Sequence, residues 1–460
     1  MGSKIVFQSS SSIKHLLNWF SSHQFQTRQY KRLWSKMDLT LDGNVRGMTE
    51  LNRDKFVKDI CVPSVQVVSS NVGKSMRILK KYLLKIEKVK PVRETESEAR
   101  TILLDPINFK SYGKLDTEEK DCLAELKISE DSFSDTTVHL KYENFKLDDV
   151  FKAVLPKDQE GCTSFSRIGH IVHLNLRDHL LPYKLLIGQV LMDKIHGIKT
   201  VVNKNHIIDS TYRNFQMEIL AGVEDFTAEV KENSCIFKFD FSKVYWNSRL
   251  CTEHERVTKL LPENAVLFDV FAGVGPFSIP AAKLRKCQVF ANDLNPFSFE
   301  WLNENARLNK VKMIKTFNQD GRDFIRDQLR PYLMGRPAQT IHVTMNLPAI
   351  AVEFLDAYVG LLEGSDITER DSINLTVHVY GFCQESASFT EMRERVESVL
   401  KCNLEKHIVE IIDVRDISPK KHMMRMSFRM PIAVLLARDE VSDPKRIKLE
   451  PEKWSCESCL

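Results

Sequence analysis

Residues 266 to 283, VLFDVFAGVGPFSIPAAK, run from an apolar stretch through an acid into two closely spaced glycines and then into a helical pattern. Few folds accommodate that order: a strand buried on both faces must end in a tight turn whose backbone approaches something closely, and a helix must follow at once. The pattern continues to the C-terminal region, with strands expected near residues 265 to 271, 288 to 292, 312 to 317, 340 to 345, 373 to 380, 407 to 414 and 423 to 430. Such alternation of strand and helix predicts an α/β, doubly wound sheet. Ligands of these sheets sit at the carboxyl ends of the strands, so the residues after the first four strands are the candidates for chemistry.

The first of these positions holds Asp269, Gly273 and Gly275, with a helix expected to begin near Pro276 and point its amides at a ligand. A dinucleotide fingerprint would place a third glycine at 278, where this chain has Ser278. Asp293, twenty residues after Gly273 in ANDLNP, suits an acid bonded to a ribose, and Asp320 in NQDGRDF can meet an adenine amino group. Acid, turn, acid and acid in this order are a common way to hold S-adenosylmethionine. After the fourth strand, MNLPAI offers Asn346 to grip cofactor or substrate, and Pro348 to stiffen the loop. Just before the sheet, KVYWNSRLCTEHERV carries Arg249 and Glu253 four residues apart, which share a face if the segment is helical. A plain salt bridge is the competing reading of that pair.

The rest of the chain divides by composition. Residues 1 to 37 contain Lys4, Lys14, Arg28, Lys31, Arg32 and Lys36 and no acid, and Ile13, Leu16, Leu17 and Phe20 recur with helical spacing, as in a mitochondrial transit segment. Met37 then offers a second start, so a matrix form is expected together with cytoplasmic and nuclear forms lacking the presequence. A first folded unit is expected over 49–140. In it VGKSMRILKKYLLKIEKVK reads as one helix, with Met76, Leu79, Leu83 and Ile86 on an apolar stripe and Lys74, Arg77, Lys81, Lys85 and Lys88 on a basic face. A phosphate backbone can lie along such a face, though charged faces are commonly just solvated. A middle α+β unit spans 145–241, with a strand near 171–176, a helix between Pro182 and Gly197, and a strand in CIFKFDF at 235–241. The sheet domain follows over 242–435, and 436–460 is expected to be a tail.

Several functions are excluded or disfavoured. No apolar run is long enough to span a membrane. A net charge of +4 over 460 residues does not by itself announce nucleic acid. The ten cysteines lack paired metal-ligand spacing apart from Cys456 and Cys459 at the end of the chain, and His170, His173 and His179 lack a partner acid or cysteine at ligand spacing, so no metal is expected.

Taken in order, VYWNSRLCTEHERV, DVFAGVGPF, NDLNP, NLP and VRDISPKKHMMRMSF resemble the eukaryotic and archaeal tRNA (guanine-37-N1)-methyltransferase family, over about residues 46 to 432. The resemblance implies a class I methyltransferase Rossmann-like sheet preceded by two smaller α+β domains, the first touching the tRNA elbow, with S-adenosyl-L-methionine as cofactor, the tRNA anticodon loop as substrate, and a monomer. It makes Glu253 the general base for guanine N1 and Arg249 the stabiliser of charge on O6. It places His254, Asp293, Leu294, Asp320, Gly321 and Asn346 at the cofactor, and Tyr245, Asn295 and Pro348 at the substrate. Where some relatives carry arginine beside the glutamate, this chain has His254. Two alternatives remain: aminocarboxypropyl transfer in wybutosine synthesis, and a tRNA-binding module without catalysis.

Overall fold

The computed structural model describes residues 41, 43–94, 98–156, 165–208, 215–384, 388–418 and 420–438. The transit-like segment, Cys456 and Cys459, and the tail beyond 438 lie outside the described residues. The chain forms two compact units, and the middle segment is shared between them: 177–194 belongs with the N-terminal unit, 164–176 and everything from 195 onward with the other.

In the N-terminal unit a four-stranded antiparallel sheet runs in the order Val92–Glu94, Ala99–Leu103, Lys58–Val68, Phe133–Leu140. Its core gathers Val65, Val67, Leu79, Ile102, Leu104 and Phe109. The basic segment departs from the expected single helix. The helix covers only Val72–Ile78, a short 3-10 turn follows at Lys80–Tyr82, and Leu83 then bridges to Leu104. Tyr82, Leu84 and Ile86 are buried while Lys85 is exposed, so the burial repeats every second residue, as in extended chain. YLLKI satisfies both periods, and pairing decided between them. Lys74, Arg77, Lys81, Lys85 and Lys88 are all exposed. They do not form one helical face, and Lys81 is engaged by Glu119 at 2.8 Å.

The second unit holds a four-stranded sheet, Phe165–Ile168, Ile171–Leu174, Thr200–Ile208 and Phe215–Gly222, and a hairpin, Thr227–Glu232 with Cys235–Asp240. Phe237 and Phe239 of the hairpin share one core with Ile171 and Val202 of the four-stranded sheet and with Leu267 and Val289 further along the chain. The helix α1 (Cys251–Leu260) then leads into a seven-stranded sheet: β1 Val266–Asp269, β2 Gln288–Asn292, β3 Ile314–Phe317, β4 Ile341–Met345, β5 Leu375–Gln384, β6 Ile408–Ser418 and β7 Lys421–Arg429. The strand order is β3-β2-β1-β4-β5-β7-β6, with the first five parallel and β7 inserted antiparallel between β5 and β6. All seven expected strands are present. β1 and β4 are buried along their whole length; VLF of β1 is accordingly a continuous apolar run, whereas β4 alternates Ile341, Val343 and Met345 with His342 and Thr344, whose side chains hydrogen-bond His378 and Asp269 inside the fold. Among the described residues no helix is long and apolar enough to cross a membrane.

Gly273 and Gly275 both adopt positive φ, +55° and +100°. A Cβ on Gly275 would lie 2.8 Å from Ile279 Cδ1 and Leu302 Cδ1, whereas one on Gly273 would meet nothing within 4 Å. Gly275→Ala is therefore expected to lower stability by about 2 to 4 kcal/mol, through backbone strain and overpacking together. Gly273→Ala should lose only about 1 kcal/mol, from the left-handed backbone alone. Urea unfolding of the two variants measures both, and equal losses would contradict the packing argument.

Candidate active site

The turn after β1 is organised by Asp269, which is fully buried. Ser278 Oγ donates to its Oδ2 at 2.6 Å, and Thr344 Oγ1, from β4, donates to its Oδ1 at 2.9 Å. The serine that replaces the third fingerprint glycine thus supplies a hydroxyl to the turn. Helix α2 (Ser278–Leu284) begins at that serine, two residues later than expected, and is too short for a strong dipole. Asp269 was expected at the cofactor. With both oxygens committed inside the fold and no exposed surface, it shapes the turn instead. Burial, and secondarily the charge of Asp293, push its carboxyl up to about 7.

Asp293, at the end of β2, accepts the Gly273 N–H at 2.8 Å on Oδ2 and the Asn295 N–H at 3.0 Å on Oδ1. Burial raises its carboxyl to about 6. The next side chain, Leu294, is 50% exposed. Asn295 was expected at the substrate, but its Oδ1 caps helix α3 (Pro296–Leu308) by accepting the Phe297 N–H, and its Nδ2 donates to the Lys243 carbonyl. The cap occupies the polar atoms that a substrate would use. After β3, Asp320 accepts the Arg322 N–H at 2.8 Å, and a Cβ on Gly321 would come within 3.0 Å of the Phe271 and Phe354 rings. After β4, the Oδ1 of Asn346 is buried without a hydrogen-bond partner, and the Pro348 carbonyl accepts the Phe382 N–H. Asp293, Asp320 and Asn346 thus stand at the carboxyl ends of β2, β3 and β4, beside the glycine turn that follows β1.

Across the turn lies α1. Arg249 and Glu253 do not pair, because Arg249 belongs to a 3-10 turn, Ser248–Leu250, that precedes the helix, and its side chain is exposed. Glu253 is buried, 3% exposed, and accepts from Tyr380 OH at 2.8 Å, Arg425 Nε at 2.7 Å and Arg256 Nη1 at 2.7 Å. Tyr380 and Arg425 are fully buried and stand directly opposite each other on β5 and β7. Arg425 also donates to Glu410 at 2.8 Å and to Ser427. Burial alone would favour discharging Arg425; the Glu253 and Glu410 carboxylates outweigh it and keep its affinity for the proton above the ordinary value. Tyr380 remains protonated, held so by burial and by the Glu253 charge.

His254 was expected at the cofactor. It is buried, with Nδ1 bonded to Glu232 and its ring edge-on, at 4.7 Å, to the Phe277 that follows the glycine turn. Tyr245 is 53% exposed and accepts from Asn247 Nδ2 at 3.2 Å. Asn247 Oδ1 also takes the Arg249 N–H and, at 3.5 Å, Arg415 Nη1. Burial and the neighbouring Arg249 charge both lower the proton affinity of Arg415. Of the three histidines, His173 is held neutral by burial and the nearby Lys204 and Arg249 charges, its value near 3, and His170 bonds Asp225.

Thr344, Arg256, Tyr380, Glu410 and Arg425 were not singled out by sequence reading, and Ser278 was noted only as a missing glycine. A charged residue inside the apolar run MMRMSF is the one signal that could have found Arg425.

Residues 228–412 match the TRM5/TYW2 methyltransferase domain and residues 147–226 the TYW2 N-terminal domain. The chain is 48% identical over 436 residues to the tRNA (guanine(37)-N(1))-methyltransferase of Drosophila melanogaster, covering 92% of this chain and 94% of that protein. Among solved structures, wild-type Trm5b from Pyrococcus abyssi is similar in fold, with a TM-score of 0.55 at 24% identity, covering 80% of this chain and 99% of that one. A complex of aTrm5 and tRNALeu gives 0.54 at 22%, with the same coverage.

Asp269 generates a test. Its folded-state value of about 7 lies above the ordinary 3.8, so between those limits the folded chain binds the extra proton. The stabilising contribution is complete below about 4 and is lost as pH rises through 7. Asp269→Asn should remove that decline, so its urea midpoint should gain on the wild type as pH rises from 4 to 8. Parallel curves would show that Asp269 is ionised throughout.

Proposed function

Because this chain belongs to the tRNA (guanine(37)-N(1))-methyltransferase family, we propose that it transfers a methyl group from S-adenosylmethionine to N1 of the guanine at position 37 of tRNA, next to the anticodon. The observation that carries this reading is the match along 92% of the chain to a protein of that name. The strand-end residues support it.

The crevice fits the donor. Space around Gly273 admits close backbone approach, Asp293 offers a carboxylate to ribose hydroxyls, Asn346 has an unpartnered acceptor, and Leu294 offers an apolar wall. When bound, the donor supplies an electrophilic methyl on a sulfonium. The protein's own task is then the guanine, whose N1 carries a proton and is a poor nucleophile until that proton is removed. Glu253 accepts it as general base. Arg249, with Arg415 beside it, sets positive charge where O6 gains negative charge. The exposed ring of Tyr245 gives a face for a base that has left the anticodon-loop stack. Exposed Lys74, Arg77 and Lys85 of the N-terminal unit are the candidates for elbow phosphates.

The match of 147–226 to a TYW2-named domain is the one observation favouring aminocarboxypropyl transfer instead. Incubation with donor and a transcript carrying guanine at 37, followed by nucleoside mass measurement, separates the readings. The expected product is 1-methylguanosine, with none from the same transcript carrying adenine at 37. An aminocarboxypropyl increment would overturn the methyl reading, and no increment on either transcript would leave a binding module.

We further propose that residues 1–36 direct a matrix form, supported by their acid-free, basic composition and helical apolar spacing. A fluorescent fusion of the full chain should enter mitochondria, and one starting at Met37 should not. Equal signals from the two would refute this.

A further inference from the structure

The two oxygens of Glu253 stand in unlike surroundings. Oε1 receives Tyr380 OH and Arg425 Nε, at 2.8 and 2.7 Å, from side chains that solvent does not touch. Among the described residues, Oε2 receives only Arg256 Nη1, at 2.7 Å, from a side chain 44% exposed and one turn further along α1. The charges facing this carboxylate are Arg256 on its own helix and Arg425 from β7, with Glu410 of β6 behind Arg425 and the hydroxyl of Tyr380 from β5. A general base must present a lone pair that the substrate N–H can reach. Removing Arg425 from Oε1 would strand a buried charge, which is strongly unfavourable. Removing Arg256 from Oε2 breaks a half-exposed pair between residues three apart, which stabilises little.

We propose that Glu253 takes the guanine N1 proton on Oε2, where the N1–H replaces the Arg256 guanidinium, while Tyr380 and Arg425 act as positioning residues that hold Oε1. The inference rests on the methyltransferase reading given above. In the step, the N1–H bond breaks as its proton joins Oε2. The electron pair left on N1 forms the bond to the methyl carbon, and the sulfur–methyl pair leaves on the sulfur of the sulfonium donor. Arg256 is thus a cover that competes with guanine, and only with a base that has an N1–H. Adenine has none.

Two variants test this on the full-length protein. The first measurement is equilibrium binding, without donor, of transcripts carrying guanine or adenine at 37. Arg256→Met should raise the preference for guanine over adenine by about two- to fivefold, the gain from removing a weak competitor. Taking the ratio cancels any general loss of phosphate attraction. Tyr380→Phe should leave the affinity for the guanine transcript unchanged and lower the single-turnover rate roughly tenfold, through misplacement of the carboxylate. An unchanged or lower guanine preference in Arg256→Met would overturn the exchange at Oε2, and a wild-type rate in Tyr380→Phe would overturn the positioning of Oε1. Formation of 1-methylguanosine by the wild type in the same experiment keeps these failures distinct from a failure of the parent reading.

Discussion

A single carboxylate without a cationic partner holds the ligand edge of the sheet together. Asp269 ends the central strand β1 and is bound on one side by Ser278, the first residue of α2, and on the other by Thr344 of β4. The same joinery continues outward. The fully buried amide of Asn292 donates to the carbonyls of Val270 and Gln319 and accepts the Gln319 N–H, and Asp293 ties the end of β2 to the Gly273 amide. Four strand ends are stitched into one rim, by Asp269 and Asn292 from inside the fold and by Asp293 at its edge. A buried polar group is tolerated only when its hydrogen bonds are made. These groups make theirs to one another, which makes the rim stiff and the two positive-φ glycines of the turn affordable.

The opposite wall is built on a different principle. Glu253 and Arg425 form an ion pair in the interior, where an apolar pair of similar size would commonly be at least as stable. What the ion pair supplies is direction: a carboxylate with one oxygen held by two buried donors presents the other at a defined angle. The pair also joins α1, which enters the sheet domain, to β7, one of its last strands. The arrangement that gives the crevice its acid therefore spans nearly the whole domain.

How much of this was legible in the sequence depended on whether a signal was local. The parallel strands announced themselves in two ways: VLF reads as a continuous apolar run buried on both faces, and IHVTM alternates with the period of a strand although both its faces are buried. Asp293, Asp320 and Asn346 could be placed because strand ends in such a sheet are functional positions. A shared helical face for Arg249 and Glu253 was suggested by a spacing of four, yet the helix begins only at Cys251, and Arg249 sits in the 3-10 turn before it. The basic helix failed for the converse reason, since YLLKI fits a period of two as well as one of 3.6 and a bridge to Leu104 settled it. Asp269 and Asn295 carried the right residue types beside the right motifs, but only the fold shows that neighbours inside the domain already satisfy them. Arg425 stood out only as a charge within MMRMSF and Tyr380 not at all, and nothing in the chain near Glu253 indicates which distant strand will face it.

The strand order has a consequence for how the molecule is made. Glu253 and Arg425 are 172 residues apart in the chain, and β7 fits between β5 and β6 rather than at the sheet's edge. During synthesis the first five strands can assemble while the C-terminal segment is still being added, but β6 has no neighbour until β7 arrives. Until then the carboxyl of Glu253 lacks its buried cation, and a long loop must close before the pair can form. The nascent chain thus carries its glycine turn and strand-end acids well before it carries a completed Glu253–Arg425 pair, and that pair comes together only as the last strand slides home.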